Sequence, residues 1–286
     1  MILFLALLLP PDTIHFGAYT AVIDPMKSAR VISFSYQDKE LLTQEEVHSF
    51  NYGSTLWPSP HGEWGWPPPP HLDGQPFEVA LEEHEKVYRG QRDTVTGLRF
   101  IKRFGFDPSD TSFVAHYTVE NLNDTPRYVA LWEVTRTPGG LSYFPVGKEK
   151  ATIPSFSRLR SVSQTGDIMW YQYNRDSVHR SQKLYENGAE GWLAHVHNGM
   201  LFVKVFEDIS REAMPPTHGE VEIYVHTDGS YIELENHSRY LALPPGGNFH
   251  YRVRWYYRPV PSHINSDLGS QELTTWTRKI IKKPAR

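Results

Sequence analysis

The feature that most constrains this chain is a period of two that recurs along most of its length. RVISFSYQ, SFVAHYTVE, RYVALWEVT, GWLAHVHN, MLFVKVF, EVEIYVHT, SYIELEN and HYRVRWYYR alternate polar with apolar residues or are rich in β-branched and aromatic ones. That is the pattern of strands that bury one face or both. Between them lie NLNDTP, TPGG, HNG, TDGS and PPGGN, the Gly, Pro, Asn and Asp clusters that tight turns need. No window of a dozen residues carries a helical apolar stripe with caps; TQEEV, at Thr43–Val47, predicts at most one short helix with a capping-box character. Many strands with short turns predict an all-β protein, a large antiparallel β-sandwich with its sheets face to face. With no internal repeat and no linker, residues 1–286 read as one domain, the core running from about 14 to 261 and a C-terminal basic tail from 262 to 286.

Composition removes several classes of function. The formal net charge is −4, and the one basic block is the closing KIIKKPAR, read as a solvated tail; nucleic acid is not an expected partner. There is no cysteine, which excludes disulfides, thiol catalysis and Cys-ligated zinc. The opening MILFLALLLPP is apolar but lacks a basic n-region and a small-residue cleavage site. It is also too short to span a bilayer, so no membrane span is expected. It reads as a strand or a frayed end, with a truncated signal peptide as the rival. The compartment therefore stays open, with the cytoplasm slightly ahead of the periplasm or exterior.

Between Asn51 and Gly74 the chain reads NYGSTLWPSPHGEWGWPPPPHLDG, with three tryptophans and six prolines. Proline fixes φ and has no N–H, so WPSP and WPPPP are predicted to be extended and outside the ladder. That stiffness lowers the entropy cost of holding Trp57, Trp64 and Trp66 in place. Indole faces suit the C–H-rich faces of pyranose rings, with His61, Glu63 and His71 as polar neighbours for the hydroxyls. Two readings stay open: the loop walls a ligand site, or it folds its tryptophans over a sheet edge.

Two further strands carry candidate chemistry. In RYVALWEVTRTPGG, Trp132, Val134 and Arg136 share one face while Leu131, Glu133 and Thr135 share the other. A strand with Glu, Thr and Arg among apolar residues reads as a cleft wall, or as a buried Glu–Arg pair. In SYIELENHS, Glu233 and Glu235 share a face. Two buried carboxylates at that spacing push one pKa upward, towards the range of a general acid or base, though a solvated Glu233 is the simpler expectation. Lys183 reads as a strand-end lysine or as a cation on the rim. His195 and His197 share one face of a strand, but with no third ligand nearby no metal is expected.

In their order these segments resemble the galactose mutarotase-like family. YTAVIDPMKSARVISFSYQDKELL resembles its opening strand–turn–strand, and NYGSTLWPSP…HLDGQPFEV is placed like its first site loop and "DG" hairpin. HYTVENLNDTPRYVALWEV resembles the unit that delivers the family's catalytic histidine, and YIELENH the late strand that delivers its catalytic glutamate. The resemblance spans roughly Ile14 to Pro261. It implies a sugar cleft across a curved sheet and a cofactor-free reaction, in which a carboxylate deprotonates the anomeric hydroxyl while a histidine protonates the ring oxygen. Carried over by position, Glu235 is the base. The acid histidine falls at Trp132 or Glu133, and neither is histidine. The family's second histidine has no counterpart beyond His84, and its loop Arg and Asn are replaced by Trp57, Ser59 and Pro60.

The expected catalytic set is therefore Glu235 with Glu133 or His61 as acid. The expected sugar contacts are Trp57, Ser59, Trp64, Trp66, Arg136 and Lys183. The partner is a small sugar or a glycan chain end, and no cofactor or metal is expected. The function is carbohydrate binding, with a mutarotase or epimerase activity resting on Glu235. The alternatives are a non-catalytic sugar-binding protein or another carbohydrate chemistry such as a lyase. Trp57→Ala is expected to weaken sugar binding and leave the fold intact.

Overall fold

The computed structural model describes residues 9–148 and 159–281. The first eight residues of the apolar opening and the closing KKPAR lie outside the described residues. All eight alternating segments form strands, and the architecture is the expected all-β sandwich of two ten-stranded antiparallel sheets. The first sheet runs in the order Asp12–Phe16, Tyr19–Asp24, Arg30–Tyr36, Ser54–Ser59, Arg127–Thr137, Ile232–His237, Val221–Val225, Gln182–Glu186, with Lys39–Glu40 paired to Arg30–Tyr36 and Leu241–Leu243 to Arg127–Thr137 off this path. The second runs Val162–Thr165, Ile168–Gln172, Leu141–Pro145, Trp192–His197, Met200–Val205, Asn248–Pro259, Ser112–Asn121, Leu98–Asp107, Glu85–Arg89, Glu78–Glu82.

Alternation sorts the Arg127–Thr137 strand as its sequence predicts. Leu131 joins the inter-sheet core with Phe34, Phe113, Leu193 and Trp255. Glu133 also points inward, accepting from Tyr117 Oη at 2.6 Å and pairing with Lys204 Nζ at 2.8 Å, both on the second sheet. Trp132 and Val134 lie on the opposite, outer face, clustered with Trp57. Each sheet therefore has an outer face that needs cover.

The cover differs on the two sides. Over the first sheet it is the tryptophan loop. The expectation that WPSP lies outside the ladder is overturned: Ser54–Ser59 is a strand, with Trp57 opposite Trp132 and Pro58 opposite Leu131. Proline is tolerated because Leu131 bonds elsewhere, its N–H donating to Ser238 Oγ at 2.8 Å and its carbonyl accepting from Ser238 N at 2.8 Å. Gly53 turns the chain into this strand at φ 64°, where a Cβ would collide with the Val31 carbonyl. The WPPPP prolines are outside the strands, as expected.

Over the second sheet the cover is a helix, Gln271–Ile281, which sequence reasoning missed. Ser270 caps it, accepting from Leu273 N at 3.1 Å. Leu273, Thr277 and Ile280 pack inward, so residues 271–281 are not the solvated tail expected of 262–286. Threonines at 274, 275 and 277 weaken its propensity, and its inward stripe is only three residues long, so tertiary packing decides. The TQEEV helix does not form; one turn closes there, Val47 N donating to Gln44 O at 3.1 Å. Among the described residues no helix is long and apolar enough to cross a membrane.

Candidate functional site

A cleft of about 500 Å³ opens on the outer face of the first sheet. One side is aromatic. Trp57 stands edge-to-face to Trp132, Trp66 and Trp64 at centroid distances of 5.1, 5.9 and 6.2 Å. Three of these indoles are anchored through Nε1: Trp57 donates to Asp73 Oδ2 at 2.7 Å, Trp64 to Pro58 O at 2.9 Å, and Trp132 to Glu235 Oε2 at 2.7 Å. Trp66 is 58% exposed, whereas Trp57 is 3% exposed. The rings therefore grade from core to surface along one loop. The other side is polar, with Lys183, Tyr185, Tyr224 and Glu233 from strands and His61 from the loop.

Beneath Trp132 lies a buried ionic cluster. Lys183 Nζ sits 2.7 Å from Glu235 Oε2 and 2.7 Å from Glu222 Oε2, and 4.8 Å from the Trp132 ring centre. Burial alone would lower the lysine's pKa; Glu222 and Glu235 outweigh it and hold the ammonium above the ordinary lysine range. The two carboxylates share the lysine unequally. Glu222 stays well below the usual range against the pull of burial, because Lys183, His218 and His237 all favour its anion. Glu235 is driven well above it, by burial first and then by Glu222 and Glu233 against Lys183. Cross-strand register produces this, since Glu222 pairs directly with Glu235.

His218, Glu222 and His237 bring one ligand atom each within 4.8 Å, the donor set a metal would use. The hydrogen bonds favour a protonic cluster. His61 N donates to His218 Nε2 at 3.1 Å, which puts that ring's proton on Nδ1, 2.9 Å from Glu222 Oε1. A metal on Nδ1 would leave two N–H groups facing each other at Nε2. Burial pushes His237 down to about 4.

The site residues expected from sequence divide three ways. Trp64, Trp66, His61 and Lys183 line the cleft, with Trp57 at its base. Burial holds His61 below the ordinary histidine range, followed by His218 and Lys183. Arg136 is fully buried behind the wall: its Nε donates to Glu233 Oε1 at 2.8 Å, and its guanidinium lies 5.1 Å from the Trp57 ring centre. Glu235 is on the cleft face but fully buried, its Oε1 without a partner.

Two residues are corrected outright. Glu133 cannot be the cleft acid, because it faces the second sheet. Ser59 is 2% exposed, its hydroxyl is unpartnered, and it is off the cleft wall. Trp57 is also more structural than expected: loss of its buried ring and its Asp73 bond predicts that Trp57→Ala costs about 3–5 kcal/mol. Of the loop's other polar residues, Glu63 pairs with Arg127 and His71 with Asp93, at 3.2 and 3.5 Å. His195 and His197 stack at 6.4 Å on the second sheet. Sequence reading missed Glu222, His218 and His237; EVEIYV showed a strand, but nothing local says that its glutamate faces a lysine.

The family model described as a domain of unknown function, DUF4380, matches residues 61–258, which carry most of the cleft. The chain belongs to the DUF4380 family. No curated protein matches its sequence. Among solved structures it is similar to a galactose mutarotase-like protein from Lactobacillus casei, at 11% identity and a TM-score of 0.62 over 87% of this chain and 100% of that one. It is also similar to a galactose mutarotase related enzyme from Lactobacillus acidophilus, at 12% identity and a TM-score of 0.57 over 88% and 99%. A TPR-domain containing protein from Parabacteroides distasonis matches at 15% identity and a TM-score of 0.62; 90% of this chain is covered, but only 48% of that longer one. At such identities the likeness is one of fold. This DUF4380 protein has the galactose mutarotase-like fold that its segment order predicts.

Proposed function

We propose that the cleft binds a neutral sugar, as a free monosaccharide or a chain end. The observation that carries this reading is the pairing of an anchored indole wall with a polar strand face across a cleft of about 500 Å³, a size that suits one or two sugar rings. The preference for a neutral sugar follows from charge pairing. Lys183 is occupied by two carboxylates, and Arg136 is buried behind the wall on Glu233, so neither offers an unpaired cation to a uronate.

Binding takes precedence over catalysis by Glu235. Its Oε2 already accepts from Trp132 and Lys183, and the whole residue is shielded from solvent. Its role in this reading is to position Trp132 and Lys183, while Trp64, Trp66 and Lys183 contact the sugar. Ligand-observed NMR with neutral monosaccharides, uronic acids and short oligosaccharides tests it. Neutral sugars should bind and should lose about tenfold in affinity in Trp66→Ala. Binding confined to uronic acids would overturn the charge argument, and no sugar binding at all would overturn the function.

A further inference from the structure

One ring of the cleft, Phe50, has no part in the sugar-binding reading. Of the large hydrophobic side chains exposed among the described residues, two line the cleft, Trp66 and Phe50, at 58% and 37% exposure. They come from separate loops and meet edge-to-face, their ring centres 5.6 Å apart. Trp66 also meets Trp57 at the cleft base, at 5.9 Å. A phenyl ring thereby continues the indole wall outward to the rim.

This rim is held in place from below. Buried Asp73 accepts from Trp57 Nε1 at Oδ2, at 2.7 Å, and from Arg30 Nη2 at Oδ1, at 3.0 Å. Arg30, itself buried, donates from Nη1 to the Phe50 carbonyl at 2.7 Å. The Phe50 N–H donates to His48 Nδ1 at 3.3 Å. One buried carboxylate therefore fixes the indole at the base and, through Arg30, the backbone of the rim phenyl. Rings held in this way need little ordering when a ligand arrives, which removes one of the costs of binding.

The two sides of the cleft offer different chemistry. The strand side presents Lys183, Tyr185, Tyr224 and Glu233. Phe50 has no polar atom with which to meet a hydroxyl. Exposed apolar rings bordered by polar residues mark a place where apolar ligand surface leaves water. A protein partner needs about 800 Å² on each side, which two side chains do not supply. An anionic membrane is disfavoured by Glu45 and Glu46, both exposed on the segment that leads to Phe50. A single ring or a short chain, carried by the cleft's own ligand, fits.

We propose that the Phe50–Trp66 pair takes the apolar group of a glycoside, so that the cleft's ligand is a neutral sugar bearing an aryl or alkyl aglycone. This rests on the sugar-binding reading and names its ligand class. The cleft of about 500 Å³ has room for a sugar ring and a second group beside it. A glycoside has no anomeric O–H to give up, which accords with a Glu235 sealed from solvent.

The test is calorimetric titration of the full chain with methyl and hexyl glycosides of glucose and galactose, in both anomers. For whichever sugar binds, the hexyl glycoside should bind about tenfold more tightly than the methyl glycoside, or better. In Phe50→Ser that advantage should shrink to below about threefold. Equal affinity for methyl and hexyl glycosides overturns the inference and leaves the sugar-binding reading standing. So does a hexyl advantage that survives in Phe50→Ser. Should the variant fail to fold, saturation-transfer NMR on the wild type decides. Irradiated aromatic protons should saturate the hexyl protons at least as strongly as the sugar protons, and hexyl protons left unsaturated overturn the inference. The sugar-free control is 1-hexanol. If it binds as tightly as the hexyl glycosides, or if nothing binds, both readings fail together.

Discussion

Two buried lysines reach the first sheet from opposite sides, and the sheet holds them in opposite ways. Lys183, on the outer face, touches two carboxylates, and its pKa is raised despite burial. Lys204 crosses the inter-sheet core to a single carboxylate, Glu133, and to Leu234 O at 3.0 Å; there burial wins and its pKa is lowered. Both side chains are at least nine-tenths buried. The number of carboxylates, rather than the degree of burial, decides which ammonium is secure. A third case completes the series. Glu220 is fully buried, and burial and the neighbouring Asp208 push it up to about 8.

That series gives a ranked set of tests. Lys183→Met strands Glu222 and Glu235 face to face and should cost about 3–5 kcal/mol in a urea unfolding experiment; a loss under about 1 kcal/mol would mean the pair takes up a shared proton instead. The Glu220 effect comes next and depends on pH. A carboxyl whose pKa is raised on folding keeps its full contribution below its unfolded value of 4.5 and loses it as pH climbs through about 8. The Tm should therefore fall between about pH 5 and 9, and Glu220→Gln should flatten that slope; an unchanged slope would remove Glu220 from the series. Smaller still is the double change Lys204→Met with Glu133→Gln. It removes the charges but keeps an acceptor for Tyr117, and should stay within about 1 kcal/mol of the parent. Smallest is Trp66→Ala, an exposed ring whose loss should move stability by less than about 0.5 kcal/mol while sugar affinity falls. If thermal melting shows a larger shift, Trp66 belongs with the structural Trp57.

Much of the scaffold was legible because alternation is a local property. The strands were read from their own residues, and the faces of Trp132, Val134 and Arg136 against Glu133 followed from the period of two alone. The same alternation could not say which face meets the second sheet, and so Glu133 was placed in the cleft when it lies in the core. Trp64 and Trp66 were found because a proline-stiffened aromatic loop is conspicuous in any sequence. His48 and His226, which also line the cleft, were not, because what distinguishes them is the partner on each Nδ1: the Phe50 and Asn51 backbone amides for one, Asp228 for the other. TDGS was read only as a turn, and His226 only as the end of the strand segment EVEIYVHT. The helix at Gln271–Ile281 escaped for a related reason. Its threonines argue against helix locally, and its short apolar stripe matters only because the second sheet presents a surface to cover.

The sequence by itself determined an all-β sandwich, the strands, the aromatic loop and the order of segments shared with the galactose mutarotase-like fold. These follow from periodicity, turn chemistry and proline, which act over a few residues. Only the tertiary structure decided which carboxylates meet Lys183, which tryptophan is core and which is surface, and what the Nδ1 atoms of the cleft histidines His48 and His226 meet. Those depend on cross-strand register and on atoms far apart in the chain. A one-residue change in register would exchange the faces of every residue in a strand, and no local pattern records the partner on the far side.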